Sequence, residues 1–196
     1  MTQYFDSEPT ATSAERTVDL VLPDLQATLT TDRGVFSADR IDSGSKLLLL
    51  DGPPPVAGDQ ILVDIGCGYG PITVALAVRN PEATVYAVDV NQRARDLCRR
   101  NTKTLDNVIV AAPDQVPTDL VVDRIWSNPP IRVGKPVLHE LLQRWLGQLG
   151  PDGSAHLVVQ KHLGADSLHR WIEQQGYNVD RRTSRKAFRL LDVTHA

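Results

Sequence analysis

From residue 60 onward, short β-branched runs alternate with longer helical patterns, and this alternation most narrows the folds open to the chain. The runs cover residues 60–65, 84–90, 107–111, 121–127 and 155–160, and the helical patterns cover 71–79, 92–101, 135–149 and 165–175. Neighbouring parallel strands need a long crossover between them, and a helix supplies one, so this pattern predicts βαβ units. The expectation is an α/β domain: a doubly wound, mostly parallel sheet with helices on both faces. Pro71 stands where a helix tolerates proline, in its first turn. After Gly176, residues 177–180 and 186–193 read as two more strands joined by a basic turn. They form an antiparallel hairpin at the edge and bring the sheet to seven strands.

Residues 1–55 follow a different pattern. Weak alternation at 17–22 and 26–30 is followed by the turn-rich Thr31-Asp32-Arg33-Gly34-Val35-Phe36-Ser37, a helix-like stretch at 46–50 and the punctuation Asp51-Gly52-Pro53-Pro54-Pro55. So short a segment cannot bury a core of its own, and it is expected to pack as a small β extension on the domain formed by 56–196. With 41% hydrophobic and 23% charged residues in 196, the chain has the composition of a globular domain. No apolar run approaches the roughly 20 residues that cross a bilayer, and the opening Met1-Thr2-Gln3-Tyr4-Phe5-Asp6 has no basic or apolar leader, so a cytoplasmic location is expected. Cys67 and Cys98 have neither a metal-ligand spacing nor the number for a disulfide framework, and the histidines add no metal pattern. The expected site therefore uses no metal.

A net charge of -3 excludes a general nucleic-acid coat, but the charges are unevenly placed. Residues 1–64 hold 11 acids against 4 bases, whereas 160–196 hold 7 bases against 4 acids. Arg93, Arg95, Arg99, Arg100 and Lys103 form a second basic stretch. Both basic regions can meet phosphates; the alternatives, a solvated helix face and a soluble tail, carry equal weight.

Two segments carry chemistry. Asn128-Pro129-Pro130-Ile131 ends the run at 121–127, and two consecutive prolines remove two backbone donors, so the carbonyls before and within the pair are expected to point away from the sheet unpaired. Beside an Asn side-chain oxygen they would make a rigid cradle for a planar amino group with two N–H donors. Val63-Asp64-Ile65-Gly66-Cys67-Gly68-Tyr69-Gly70-Pro71 places glycines at the first strand-to-helix turn, at the sheet edge where open α/β folds bind ligands. Asp89, 19 residues after Gly70, ends the next strand, where an acid accepts the two hydroxyls of a ribose. A dinucleotide wants G-x-G-x-x-G and a pyrophosphate on the helix end; this turn is G-x-G-x-G with Asp64 just before it, which would repel pyrophosphate and suit a cationic ligand such as S-adenosylmethionine.

Together, Asp64-Ile65-Gly66-Cys67-Gly68-Tyr69-Gly70-Pro71, Val88-Asp89-Val90-Asn91 and Ser127-Asn128-Pro129-Pro130-Ile131-Arg132 resemble class I S-adenosylmethionine-dependent methyltransferases of the "methyltransferase small" family. The similarity is greatest to bacterial small-subunit ribosomal RNA guanine-N2 methyltransferases. It takes in residues 31–37, Ile41-Asp42-Ser43-Gly44-Ser45 and Gly134-Lys135, and covers most of 26–165. It implies a Rossmann-like methyltransferase sheet and a cofactor site in which Asp64, Gly66, Cys67, Gly68 and Gly70 form the methionine turn and Asp89 holds the ribose. Val90 and Asn91 would flank the adenine and Asp114 meet its amino edge. Asn128 would lie between cofactor and target nitrogen, and Pro129, Pro130 and Ile131 would complete the catalytic grip. Phe36 would face the acceptor, while Arg132 and Lys135 would hold flanking phosphates. Ile131 stands where many amino-methylating relatives carry a base-stacking aromatic, which agrees better with the guanine-N2 RNA group than with adenine-N6 DNA or protein-glutamine enzymes. The implied partner is ribosomal RNA or the small ribosomal subunit. The alternatives are a protein amide or small aromatic amine as acceptor, or a non-catalytic RNA-assembly factor that binds the cofactor.

Overall fold

The computed structural model describes residues 11–185 and 187–196; residues 1–10 of the expected extension and Lys186, the expected start of the last strand, lie outside the described residues. Strands β1 (Arg16–Val21) and β2 (Gln26–Thr31) pair antiparallel as a separate ribbon, with Arg16 opposite Thr31 and Val21 opposite Gln26. Helix α1 (Ser43–Asp51) leads into the alternating part. In order this comprises β3 (Ile61–Ile65), α2 (Pro71–Arg79), β4 (Thr84–Val88), α3 (Gln92–Asn101), β5 (Val108–Ala111), β6 (Val122–Ser127), α4 (Lys135–Leu146), β7 (Leu149–Gln160), α5 (Ala165–Gln174), β8 (Tyr177–Arg185) and β9 (Phe188–His195).

The main sheet has seven strands in the order β5-β4-β3-β6-β7-β9-β8. The pairs from β5 across to β7 are parallel, and both pairs made by β9 are antiparallel, so the expected mostly parallel sheet with a C-terminal hairpin is what forms. Strands such as Ile61–Ile65 read as apolar runs because both faces are covered. Leu62 belongs to one buried cluster with Leu76 of α2 and Leu97 of α3; its neighbour Val63 belongs to another with Leu142 of α4 and Ile172 of α5. Val18, Leu20 and Leu29 of the β1-β2 ribbon enter the first cluster.

Several expectations need correction, among them the basic turn after residue 180, which is instead the second half of β8 (Tyr177–Arg185). Strand β7 begins at Leu149 rather than at 155, and α4 stops at Leu146 rather than at 149. Val122 pairs with Leu149 but Arg124 with Ser154, so Gly150-Pro151-Asp152-Gly153 is a bulge inside the strand and not a turn before it. A Cβ on Gly153 would sit 2.9 Å from the Gly150 carbonyl oxygen, which is why the bulge takes glycine. The basic stretch on α3 is not wholly a solvated face: Arg95 is buried and donates to the Asp89 and Val90 carbonyls at 2.7 and 2.8 Å, bracing the end of β4. The C-terminal bases are largely committed within the fold. Arg181 and Arg189 pair with Asp166, Arg182 with Asp192, and Arg185 with Asp51.

Candidate active site

In the sheet order, β4 and β5 lie to one side of β3 while β6 and β7 continue on the other. The β3/β6 boundary is therefore a switch point, where a crevice opens beyond the carboxyl ends of the strands. The Ser127 hydroxyl donates to the Ile65 carbonyl at 2.8 Å and joins the two strand ends. A cavity of about 300 Å3 occupies this rim, with Gly66, Gly68, Asp89, Val90 and Asn91 on one wall and Asn128, Pro129, Pro130, Ile131 and Arg132 on the other. Three turns separated in sequence meet there.

The glycine turn is built for close approach. Gly66 and Gly68 have φ of +75° and +57°, and a Cβ on either would meet nothing within 4 Å, so both leave open space along the cavity. Gly70 differs: at φ +96° it caps α2, and a Cβ there would lie 2.9 Å from Cys98 Sγ. The Gly66 and Cys67 amides both donate to the Val88 carbonyl, at 2.8 and 3.0 Å. The Gly68 amide donates to Asp89 Oδ2, and the Asn91 amide to Asp89 Oδ1, both at 2.9 Å. Each Asp89 oxygen thus keeps a lone pair for a ligand hydroxyl. Burial raises the Asp89 carboxyl above its ordinary range, against those two amides and the nearby Arg95 charge.

Asp64 lies beneath the turn and not in the cavity wall. Its Oδ2 accepts from the Thr73 hydroxyl at 2.6 Å, and its Oδ1 is buried without a hydrogen bond. Burial pushes this carboxyl up to about 7, against the Thr73 hydroxyl and amide, with the Asp89 charge adding to the rise. Cys67 and Gly70 are likewise set back from the wall: Cys67 is buried with Cys98 and Ala87, and the Cys98 thiol beside it, together with burial, holds its own thiol well above the ordinary range. Asp114 is exposed in a short 3-10 turn, and its neighbour Pro113 is the residue that lines the cavity. Lys135 is exposed at the start of α4, off the wall.

On the opposite wall, the Asn128 side-chain amide has its orientation set by its partners. Its Nδ2 donates to Asp42 Oδ2 at 2.8 Å and to Ser45 Oγ at 3.1 Å. A carboxylate oxygen only accepts, so the amide nitrogen must face Asp42, and Oδ1 is left without a hydrogen bond among the described residues. The proline carbonyls correct the expectation. Pro129 O accepts from the Ile131 amide at 2.8 Å and Pro130 O from the Val133 amide at 3.1 Å, because the chain after the prolines turns back in a 3-10 turn (Ile131–Val133). Each carbonyl retains one lone pair, not two.

Phe36 does reach the cavity, 45% exposed, on a loop pinned from two sides. The Asn91 side chain donates to the Gly34 carbonyl at 2.9 Å, and the buried Tyr69 hydroxyl donates to the Arg40 carbonyl at 3.2 Å. Sequence reasoning missed Asp42, Leu141, Trp145, Gln160, Leu163 and Phe188, all of which line the cavity. Leu141 and Trp145 are four apart on α4, a spacing that marks one helix face but not what the face covers. Phe188 comes from β9, and nothing local marks it. Among the described residues no helix is long and apolar enough to cross a membrane, and no three His, Cys, Asp or Glu side chains gather to hold a metal ion.

A seven-stranded mixed sheet of this order, with a glycine turn after its central strand, is the Rossmann-like methyltransferase fold. Residues 26–192 match the methyltransferase small domain, and the chain belongs to that family. Uncharacterized protein YbxB of Bacillus subtilis (strain 168) is 35% identical over 176 residues, 87% of either chain. Ribosomal RNA small subunit methyltransferase C of Pseudomonas putida (strain GB-1) is 31% identical over 96% of this chain and 57% of its own length. The chain spans about half the length of the curated ribosomal RNA methyltransferases it matches. The solved T. thermophilus 16S rRNA N2 G1207 methyltransferase in complex with AdoMet and guanosine superposes with a TM-score of 0.76 at 24% identity, over 96% of this chain and 52% of that one.

Proposed function

We propose that this protein transfers a methyl group from S-adenosylmethionine to an exocyclic amino nitrogen, namely guanine N2 of ribosomal RNA in the small subunit. The carrying observation is Asn128, whose amide is fixed by Asp42 and Ser45 so that an uncommitted oxygen remains in a cavity walled by the glycine turn. The names of the relatives support the RNA acceptor. In this reading residues 56–196 are the catalytic domain and 1–55 an extension on it, located in the cytoplasm with its ribosomal substrate.

The rim fits the cofactor on two counts. Gly66 and Gly68 leave a cradle that any Cβ would fill, and the buried, unpartnered Asp64 Oδ1 beneath them supplies negative charge to a cationic ligand. Asp89 would take the ribose hydroxyls on its remaining lone pairs, and Val90, Asn91 and Pro113 would flank the adenine. When bound, S-adenosylmethionine supplies a methyl carbon activated by a positively charged sulfur.

Asn128 Oδ1 and the spare lone pair of the Pro129 carbonyl then each accept one N–H of the target amine, which turns the nitrogen lone pair toward that carbon. These two preplaced oxygens would stabilise the positive charge that grows on the nitrogen as it takes the methyl group, the electron pair of the broken carbon–sulfur bond staying with the donor's sulfur. The nitrogen then loses its extra proton to water. No residue need act as a covalent nucleophile, and Cys67 and Cys98 are buried away from the reacting atoms. Arg132, exposed beside the cradle, and Lys135 would meet phosphates flanking an unstacked base.

Two measurements test this. Radiolabelled cofactor is incubated with naked ribosomal RNA, isolated small subunits or whole-cell protein, and the product is digested; label is expected in N2-methylguanosine, and label in protein alone overturns the RNA acceptor. Asn128→Ala is expected to bind S-adenosylmethionine as the parent does while transfer falls roughly 10²- to 10³-fold, the loss typical of one preplaced polar group. Unchanged transfer would remove Asn128 from the mechanism.

A further inference from the structure

We propose that Asp42 reads the acceptor base: its Oδ2 locks the Asn128 amide while its Oδ1 accepts the ring N–H beside the target amine, selecting guanine's edge over adenine's. The inference rests on the reading of the site as a guanine-N2 methyltransferase. Asp42 lines the cavity, and one of its oxygens is fully occupied. Oδ2 accepts from the Gly44 amide at 2.7 Å, the Ser45 amide at 3.0 Å and Asn128 Nδ2 at 2.8 Å. Its Oδ1 takes no hydrogen bond among the described residues.

Capping α1 needs a single acceptor oxygen, which a serine or threonine would provide equally well. A carboxylate at this position brings a second oxygen into the cavity wall, bound through the Oδ2–Nδ2 contact to the residue that orients the amine. Guanine offers two donors side by side on one edge, the N1–H and the 2-amino group, and two adjacent acceptor oxygens match them. Adenine has a lone pair at N1, which a carboxylate oxygen would repel. A Cβ on Gly44 would fall 2.9 Å from the Phe188 ring, so that ring packs closely on the start of α1 and walls the cavity next to Asp42. A site built to accept a base N–H rejects the base that lacks it, because the wrong base leaves the acceptor unpaired.

The test uses the full chain saturated with S-adenosylhomocysteine and titrated calorimetrically with guanosine, inosine and 2-aminopurine riboside. Inosine keeps the N1–H and lacks the amine; 2-aminopurine keeps the amine and has an acceptor at N1. The parent is expected to bind 2-aminopurine riboside at least tenfold more weakly than guanosine, with inosine between them. Asp42→Asn retains the helix cap and places an N–H donor where Oδ1 was, so guanosine should weaken about tenfold while 2-aminopurine riboside tightens, closing the ratio. Unchanged S-adenosylhomocysteine affinity in the variant shows that it is folded. Equal binding of guanosine and 2-aminopurine riboside by the parent, or an unchanged ratio in Asp42→Asn, overturns the role of Asp42 alone. A parent that binds none of the three nucleosides overturns the guanine acceptor, and this inference with it.

Discussion

Asp64 is the residue through which pH should act on both stability and cofactor binding. Its carboxyl is raised from 3.8 to about 7 by burial, so between those values the folded state holds a proton that the unfolded chain has released. Stability from this group is therefore greatest below pH 4 and is lost as pH rises towards 7, by about 1.4 kcal/mol for each pH unit at most. Asp64→Asn, which keeps the shape of the neutral acid and cannot ionise, should melt several degrees above the parent at pH 8 without ligand. The gap should shrink as the pH is lowered towards 4, and thermal scans across that range would show it. The same variant should bind S-adenosylmethionine at least tenfold more weakly at pH 8, by titration, because the negative charge under the turn is gone. A gap between Asp64→Asn and the parent that stays constant over this range would mean that Asp64 titrates normally.

At the level of elements, the glycine turn was legible as a unit but its members were not legible apart. Gly66 and Gly70 both have positive φ, yet one faces open space and the other faces Cys98 Sγ. Ala at Gly66 should reduce S-adenosylmethionine affinity sharply while lowering stability only by the backbone term, about 1–2 kcal/mol. Ala at Gly70 should lower stability by roughly 2–4 kcal/mol in urea unfolding, because overlap with Cys98 adds to that term. Measured again in a Cys98→Ala background, the Gly70 loss should fall towards the backbone term while the Gly66 loss stays unchanged. The strands of the parallel sheet were legible because burial on both faces leaves a continuous apolar run. The bulge in β7 was not: Gly150-Pro151-Asp152-Gly153 has turn composition, and only pairing with Val122 and Arg124 keeps it in the sheet.

Across the whole molecule, a polar chain runs through the sheet outside the cavity lining. Asp59 accepts from Arg124 at 3.0 Å, Arg124 donates to the Ser154 hydroxyl at 2.7 Å, Ser154 meets His156 at 3.0 Å, and His156 meets Asp192 at 2.8 Å. The Ser-His-Asp order has the look of a nucleophile and its base. Ser154 and His156 are buried, however, Arg124 already occupies the hydroxyl, and none of the three lines the cavity, so the chain serves to join β6, β7 and β9. Burial works to raise the Asp192 carboxyl, but hydrogen bonds and charge from His156 and Arg182 outweigh it and hold the group below its ordinary range. A lowered carboxyl adds stability above its unfolded pKa and loses it as pH falls. Asp192→Asn should thus unfold at lower urea than the parent at pH 7, and the difference should vanish in acid below the carboxylate range. Activity at fixed saturation should be unaffected, which separates this network from the site.

Local pattern was enough for the strand and helix order, for a glycine turn after the first core strand and for an Asn-Pro-Pro segment at a strand end, because backbone preference and apolar periodicity are written residue by residue. Packing alone brings Asp42 to Asn128 from 86 positions away in the chain, sets Phe188 in the cavity lining and buries Asp64 beneath the glycine turn. Those are contacts between elements brought together by packing, and no spacing within a single segment encodes them.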